Sequence, residues 1–364
     1  MWSQFLFASL LMIEQPQVKD LRTELEPIRV KYQLPAMSAA VVTSHGVTAI
    51  GVTGVRKYGE DVRVTVNDQF HLGSDTKAMT ATLLAMFVEE GKLRWDTALA
   101  AALPDLAGKM DPAYRSVTIE QMLAHRAGFT ADSWPKGKSI FDLRNLPGAP
   151  REQRNAYLAM ILAEPPAYPP GSKFEYSNRS YIVAGAIAER VADDSWEHLM
   201  QTRLFDPLGM STCGFGAMGT PGRLDQPRQH TKFQSIEPGP LSDNPPLLGP
   251  AGTVHCSVGD WAKFIQAHLG RKPLLKPATY EKLHSAPMGG EYGFGWMIVK
   301  REWAGDKPAL MHAGSNTMNF ALVWIAPAKD FAALVMTNSG KDEAFKACDE
   351  AASLLIKNYL QPLP

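Results

Sequence analysis

Cysteine is scarce in this chain: its 364 residues contain three, Cys213, Cys256 and Cys348. They form no Cys-x-x-Cys pair and no Cys/His cluster at zinc spacing, so no structural metal is expected. The same sparse, odd count argues against a disulfide framework and reads as buried free thiols. Cysteine usage therefore leaves the compartment open. An excess of one charge is also missing. Lys plus Arg total 37 and Asp plus Glu total 37. That balance offers neither nucleic acid nor an anionic membrane a complementary surface, so the expected partner is a small molecule or peptide. No apolar stretch is long enough to form an integral membrane segment. Phe5 to Ile13 has the length of a signal-peptide core, yet no Lys or Arg precedes it and no small-residue cleavage site follows. A signal remnant and an N-terminal helix packed on the body both stay open. So does localisation, between bacterial cytoplasm and periplasm or exterior. Gly-x-Ser-x-Gly, the P-loop and His-Glu-x-x-His are all absent, which excludes the α/β-hydrolase elbow, P-loop chemistry and the zincin site. Gly214 to Gly219 matches a dinucleotide fingerprint by letter, but no strand-turn-helix pattern surrounds it.

What is present is a globular composition, 45% hydrophobic and 20% charged, with length for roughly two domains or one domain carrying a large insertion. Gln17 to Tyr32 is amphipathic and predicts a helix. Ala36 to Ser44 and Val47 to Val55, joined by His45-Gly46, predict a hairpin. Ser74 to Gly91 carries apolar residues at helical spacing and ends on glycine. From Lys92 to Pro287 the pattern is helical and loop-rich. Its helices are expected at Thr118 to Ala124, Arg151 to Ala163, Ser180 to Ala192, Trp196 to Leu204 and Val258 to Gly270. The Pro/Gly-rich stretches Pro165 to Gly171 and Pro238 to Gly252 are too long for simple connections, and loops of that kind are often functional. Strand character returns at Phe294 to Lys300, Ala309 to His312, Asn319 to Ile325 and Ala332 to Thr337. A last helix spans Glu343 to Leu360. The order strands, helices, strands predicts one sheet built from both chain ends, with a helical region inserted. On this division residues 1–73 and 288–364 form an α/β region, residues 74–287 form the helical region, and the site lies in the cleft between them.

Three motifs carry chemistry. Ser74-Asp75-Thr76-Lys77 opens the long helix, and residues three apart share a helix face, so hydroxyl and amine can meet. A helix N-terminus favours the negative charge of an alkoxide and then of an oxyanion. A serine needs an adjacent base to act as nucleophile, and a buried lysine can be neutral enough to help. Tyr176-Ser177-Asn178 precedes another helix. A phenol next to a lysine can relay a proton, and Asn178 can hold the lysine while donating to a substrate carbonyl. His312-Ala313-Gly314-Ser315 ends an apolar run. A glycine on a strand edge admits close backbone approach, and such an edge can offer an N–H to an oxyanion. Two further His-x-Gly copies, His71-Leu72-Gly73 and His268-Leu269-Gly270, read as structural.

The order and spacing of these motifs resemble the superfamily of class C β-lactamases, penicillin-binding proteins (D,D-peptidases) and family VIII esterases. The likeness runs from about Leu34 to Gly340. It includes the connecting phrases Leu123 to Gly128, Phe205 to Met210, Tyr292 to Trp296 and Thr337-Asn338-Ser339. The resemblance implies an α/β sandwich joined to an all-helical region, the β-lactamase-like fold. It implies Ser74 as acylated nucleophile, and Lys77 and Tyr176 sharing the general-base and general-acid work. Asn178 would contact the acyl side, the N–H groups of Ser74 and Ser315 would form the oxyanion hole, and Gly314 would keep the strand edge accessible. Neither a metal nor an organic cofactor is implied. One position departs from the pattern. Class C β-lactamases typically carry Lys-Thr-Gly where this chain has His312-Ala313-Gly314. A histidine is mostly neutral at pH 7, so a carboxylate clamp by His312 would weaken as pH rises through the histidine pKa. The Tyr-Ser-Asn and His-x-Gly pairing resembles D,D-peptidases and D-amino-acid peptidases. Family VIII esterases often carry Trp-Gly-Gly there. The expected function is therefore a serine hydrolase of small amides or esters. A pure carboxylesterase and a penicillin-binding sensor without turnover are the alternatives.

Overall fold

The computed structural model describes residues 17–360; the apolar run at Phe5 to Ile13 lies outside them. Seven strands form the main sheet, in the order Lys19–Asp20, Gly46–Gly54, Ala36–Thr43, Phe331–Thr337, Phe320–Ala326, Ala309–Ser315 and Met297–Val299. Only the first pair is parallel. The seam between chain ends runs through the middle, where Ala39 opposes Val335 and Ser38 opposes Met336 in antiparallel register. The sheet thus joins the two ends of the chain, as the order of strand-like segments predicts.

The central strands are buried except at Thr43 because helices cover both faces. Side chains alternate between faces along a strand. Met37, Ala39, Val41, Leu322, Trp324, Ala333 and Val335 pack with Leu25 of helix Arg22–Lys31 and Leu355 of helix Glu343–Tyr359. Ala36, Ala40, Val42, Val323, Ile325, Leu334 and Met336 share the second core with Phe264 of helix Val258–Gly270 and with the helical part of the chain. Within that second core lies helix Thr76–Glu89, of which 12 of 14 residues are buried. A helix apolar all round belongs inside a core, not at a surface.

Several boundaries differ from expectation for local reasons. The first helix begins at Arg22, because Lys19–Asp20 pair with Ala49 and Ile50 and the Asp20 carboxyl accepts from the Arg22 N–H at 2.9 Å. Helix Trp196–Met200 changes to a π-turn at Gln201–Phe205. Cys213 and Cys256 form a disulfide, and Cys348 alone is a buried free thiol. The expectation of three free thiols fails because Gly214 opposes His255 in a short strand pair, which brings the flanking cysteines to a Cα separation of 4.3 Å. No helix among the described residues is long and apolar enough to cross a membrane.

The strand expected over Ala309 to His312 continues to Ser315, held by pairing with Phe320–Ala326. On its other side Met297–Val299 covers only Ala309 to Met311. The stretch from His312 to Ser315 therefore keeps one edge open among the described residues.

Candidate active site

The open edge faces the start of helix Thr76–Glu89. Two glycines permit backbone-to-backbone contact there. Gly73 has φ +52°, and a Cβ on it would fall 2.2 Å from the Ser315 nitrogen. A Cβ on Gly314 would fall 1.9 Å from the Leu72 carbonyl and 2.6 Å from the Ser74 nitrogen. Any side chain at either position would push the turn that carries Ser74 off the strand.

Ser74, Lys77, Tyr176 and Asn178 converge at this contact. The Lys77 Nζ lies 2.9 Å from the Ser74 Oγ, 2.8 Å from the Asn178 Oδ1 and 2.7 Å from the Ala251 carbonyl. Three acceptors use the three directions of an ammonium group. The side chain is fully buried, and that desolvation pulls its pKa from 10.5 down to about 7, with the Asp75 charge opposing. Burial also pushes the Asp75 carboxyl up, Lys77 opposing, and neither Asp75 oxygen has a hydrogen-bond partner. Burial raises the pKa of the Tyr176 hydroxyl above the ordinary phenol value, the Ser74 side chain opposing. The Lys77 Nζ sits 4.9 Å above the Tyr176 ring centroid, over the face and not at the oxygen. Asn178 starts helix Asn178–Ala192, but the cap is Ser177, whose Oγ accepts from the Arg179 N–H at 3.3 Å. The Asn178 amide also donates to the Ser133 Oγ at 3.0 Å.

His312 lies at the same place without the charge that a clamp needs. Its Nδ1 lies 3.0 Å from the Ala313 carbonyl, an acceptor, so Nδ1 carries the proton and Nε2 accepts from the Tyr292 hydroxyl at 3.2 Å. Burial, aided by Lys77, lowers its pKa to about 3. That burial opposes the expected carboxylate clamp through an imidazolium. Beside His312 and Tyr176 a cavity of about 470 Å³ opens, lined by Arg126, Phe174, Tyr292 and Met311 among others. Arg126 is the cation of this wall. It makes no ion pair among the described residues, and its Nη2 lies 3.5 Å from the Gly289 carbonyl.

Some supporting residues lie outside the three motifs. His125, at φ +56°, accepts from the Ser177 N–H at 3.2 Å and packs its ring 4.5 Å from Tyr176. Its phrase Leu123 to Gly128 was the available signal. Ala251 offers only a carbonyl. Behind the contact, His71 and Asp243 form a buried pair at 2.9 Å. Among the described residues, no group of three or more His, Cys, Asp and Glu side chains is placed to hold a metal ion.

The Beta-lactamase family profile matches residues 14–356. The chain belongs to the β-lactamase family. It is 26% identical over 347 residues to penicillin-binding protein 4 of Amycolatopsis lactamdurans, covering 88% of this chain and 85% of that protein. It is 28% identical over 272 residues to an unguisins hydrolase of Aspergillus campestris, covering 70% of this chain but only 48% of that protein. The octameric penicillin-binding protein homologue of Pyrococcus abyssi has the same fold, with a TM-score of 0.74 at 22% identity over 93% of this chain and 78% of that one. The family match and the sequence relatives thus support serine-hydrolase chemistry at family level.

Proposed function

We propose that this chain hydrolyses small amides or esters, in the manner of a D,D-peptidase or β-lactamase, through an acyl-enzyme on Ser74. The observation that carries the reading is the buried Lys77 amine 2.9 Å from the Ser74 hydroxyl. A lysine brought down to about 7 is neutral often enough at neutral pH to take the serine proton. The Ser74 oxygen then attacks the carbonyl carbon. The negative oxygen that forms is received by the N–H groups of Ser74 and Ser315, next to the open strand edge. Tyr176 gives its hydroxyl proton to the leaving group, and the proton held on Lys77 returns to it by way of a bridging water, since the Lys77 amine does not touch the phenol oxygen. Water releases the acyl group by the same proton route in reverse. With Tyr176 held neutral by burial, Lys77 is the base of the resting site and Tyr176 the donor. Asn178 holds Lys77 and faces the acyl side.

A second reading, a carboxylesterase with little action on β-lactams, is favoured by the neutral His312 and by the largely apolar cavity beside it. The likeness to an unguisins hydrolase supports turnover over a sensor role. Rates on 4-nitrophenyl esters, a chromogenic cephalosporin and a D-Ala-D-Ala peptide separate these readings. Ser74→Ala should abolish all three activities and labelling by a fluorophosphonate. Activity retained in that variant would end the acyl-enzyme reading.

A further inference from the structure

A buried polar network stands directly behind the two N–H groups assigned above to the oxyanion hole. At its centre is Asp243, in the Pro/Gly-rich stretch Pro238 to Gly252, with 5% of its surface exposed. One carboxyl oxygen, Oδ2, lies 2.9 Å from the Nε2 of His71. The other, Oδ1, accepts from the side-chain amide of Asn316 at 3.0 Å. His71 is fully buried, and its Nδ1 accepts from the Gly73 N–H at 3.0 Å. An imidazole nitrogen that accepts an N–H carries no proton, so the His71 proton is on Nε2 and points at Asp243. Gly73 immediately precedes Ser74, and Asn316 immediately follows Ser315. One carboxyl group thus grips both sides of the contact, the nucleophile turn through His71 and the strand end through Asn316.

Both arms are held from behind. The Asn316 amide also donates to the Gln229 Oε1 at 2.6 Å, and its own oxygen accepts from the Met318 N–H at 3.2 Å. The Arg144 guanidinium donates to the Asp243 and Pro240 carbonyls and so fixes the loop. Asn316 and His71 are thus joined through the one carboxyl group of Asp243, beside the backbone contact of Gly73 with Gly314.

We infer that Asp243 is a positioning residue for the oxyanion hole, locking the Ser74 and Ser315 backbones at the spacing that receives the negative oxygen. The inference rests on the acyl-enzyme reading above. An asparagine at 243 has the same shape but cannot serve both arms. If its oxygen faces His71, its amide meets the Asn316 amide, donor against donor. If its amide faces His71, the imidazole proton must move to Nδ1 and meet the Gly73 N–H. Either way one segment is released.

The test compares wild type with Asp243→Asn. The readouts are kcat and KM on 4-nitrophenyl acetate, the affinity for phenylboronic acid, and the thermal midpoint. A boronate on the Ser74 oxygen puts an oxygen where the oxyanion forms, so its affinity reports the hole and not general folding. Removing an oxyanion donor outright costs about 10²- to 10³-fold, so displacing one should lower kcat about 10- to 100-fold. The boronate dissociation constant should rise by a similar factor while KM moves less than about threefold, since the loss falls on the transition state. A folded Asp243→Asn protein with unchanged boronate affinity overturns the inference, whether or not kcat falls. If that variant does not fold, Asn316→Ala cuts the strand-side arm alone and must show the same parallel loss of kcat and boronate affinity. Loss of one without the other there is also a refutation. Ser74→Ala, run alongside, separates the two levels: ester turnover surviving in it defeats the acyl-enzyme reading itself.

Discussion

The base assigned to Lys77 makes a quantitative demand on the pH profile. The perturbation is a titration from pH 5 to 9 at constant ionic strength, and the quantity is kcat/KM for an uncharged ester, which reports groups of the free enzyme. An exposed lysine near 10.5 would be neutral in about one molecule in 3,000 at pH 7. Burial brings Lys77 to about 7, so about half of the molecules hold the free amine at that pH. The difference of about 3.5 units corresponds to about 5 kcal/mol moved against the ammonium form. The neutral amine is the active form, so the rate should rise tenfold per pH unit below 7 and level off above it. The Asp75 carboxyl, which burial also raises, could give a limb in this range, so Asp75→Asn must leave the limb in place for Lys77 to be its source. His312 is lowered to about 3, His125 is pushed well below 6.5, and Tyr176 is raised. A flat profile across this range, or one still climbing at pH 9, would refute Lys77 as the resting base.

Three other outcomes can be measured. Gly314→Ala places a methyl against the Leu72 carbonyl and should cost about 1–3 kcal/mol of stability by overpacking, with a larger loss in kcat, read by thermal melts and ester kinetics. Because His312 is neutral, the ratio of kcat/KM for a carboxylate-bearing ester to that for its amide analogue should be constant from pH 5 to 8, whereas a clamp by the imidazolium would make it fall. Arg154 is fully buried between Glu189 and the half-buried Glu197, so Arg154→Ala strands the buried Glu189 carboxyl and should cost about 3–5 kcal/mol in denaturant titration.

The sequence carried those parts of the site that depend on local spacing. Ser74 and Lys77 meet because three residues span one face of a helical turn, and that is visible in four letters. The hairpin at Ala36 to Gly54 and the buried helix after Ser74 were legible for the same reason, since their periodicity belongs to the element itself. Burial was not legible. A histidine at 312 reads as a titratable group, and only the packing of Tyr292, Asp75 and Lys77 around it makes it neutral. The extension of its strand through Ala313, Gly314 and Ser315 was missed because none of the three favours strands, and pairing with Phe320, Ala321 and Leu322 decides it. The bond between Cys213 and Cys256 depends on a strand pair two residues long, 43 positions apart in sequence. Asp243 left no trace but a proline-rich loop of unusual length.

The seam between Ala36–Thr43 and Phe331–Thr337 has a consequence for how this protein comes into being. Nearly three hundred residues separate those partners, so closing the sheet must wait for the end of synthesis. A nascent chain halted before residue 309 already owns its hydroxyl, amine and phenol, yet lacks the rail beside which any acyl group would lie. Competence is therefore acquired late, and a product released before residue 309 is expected to be inert.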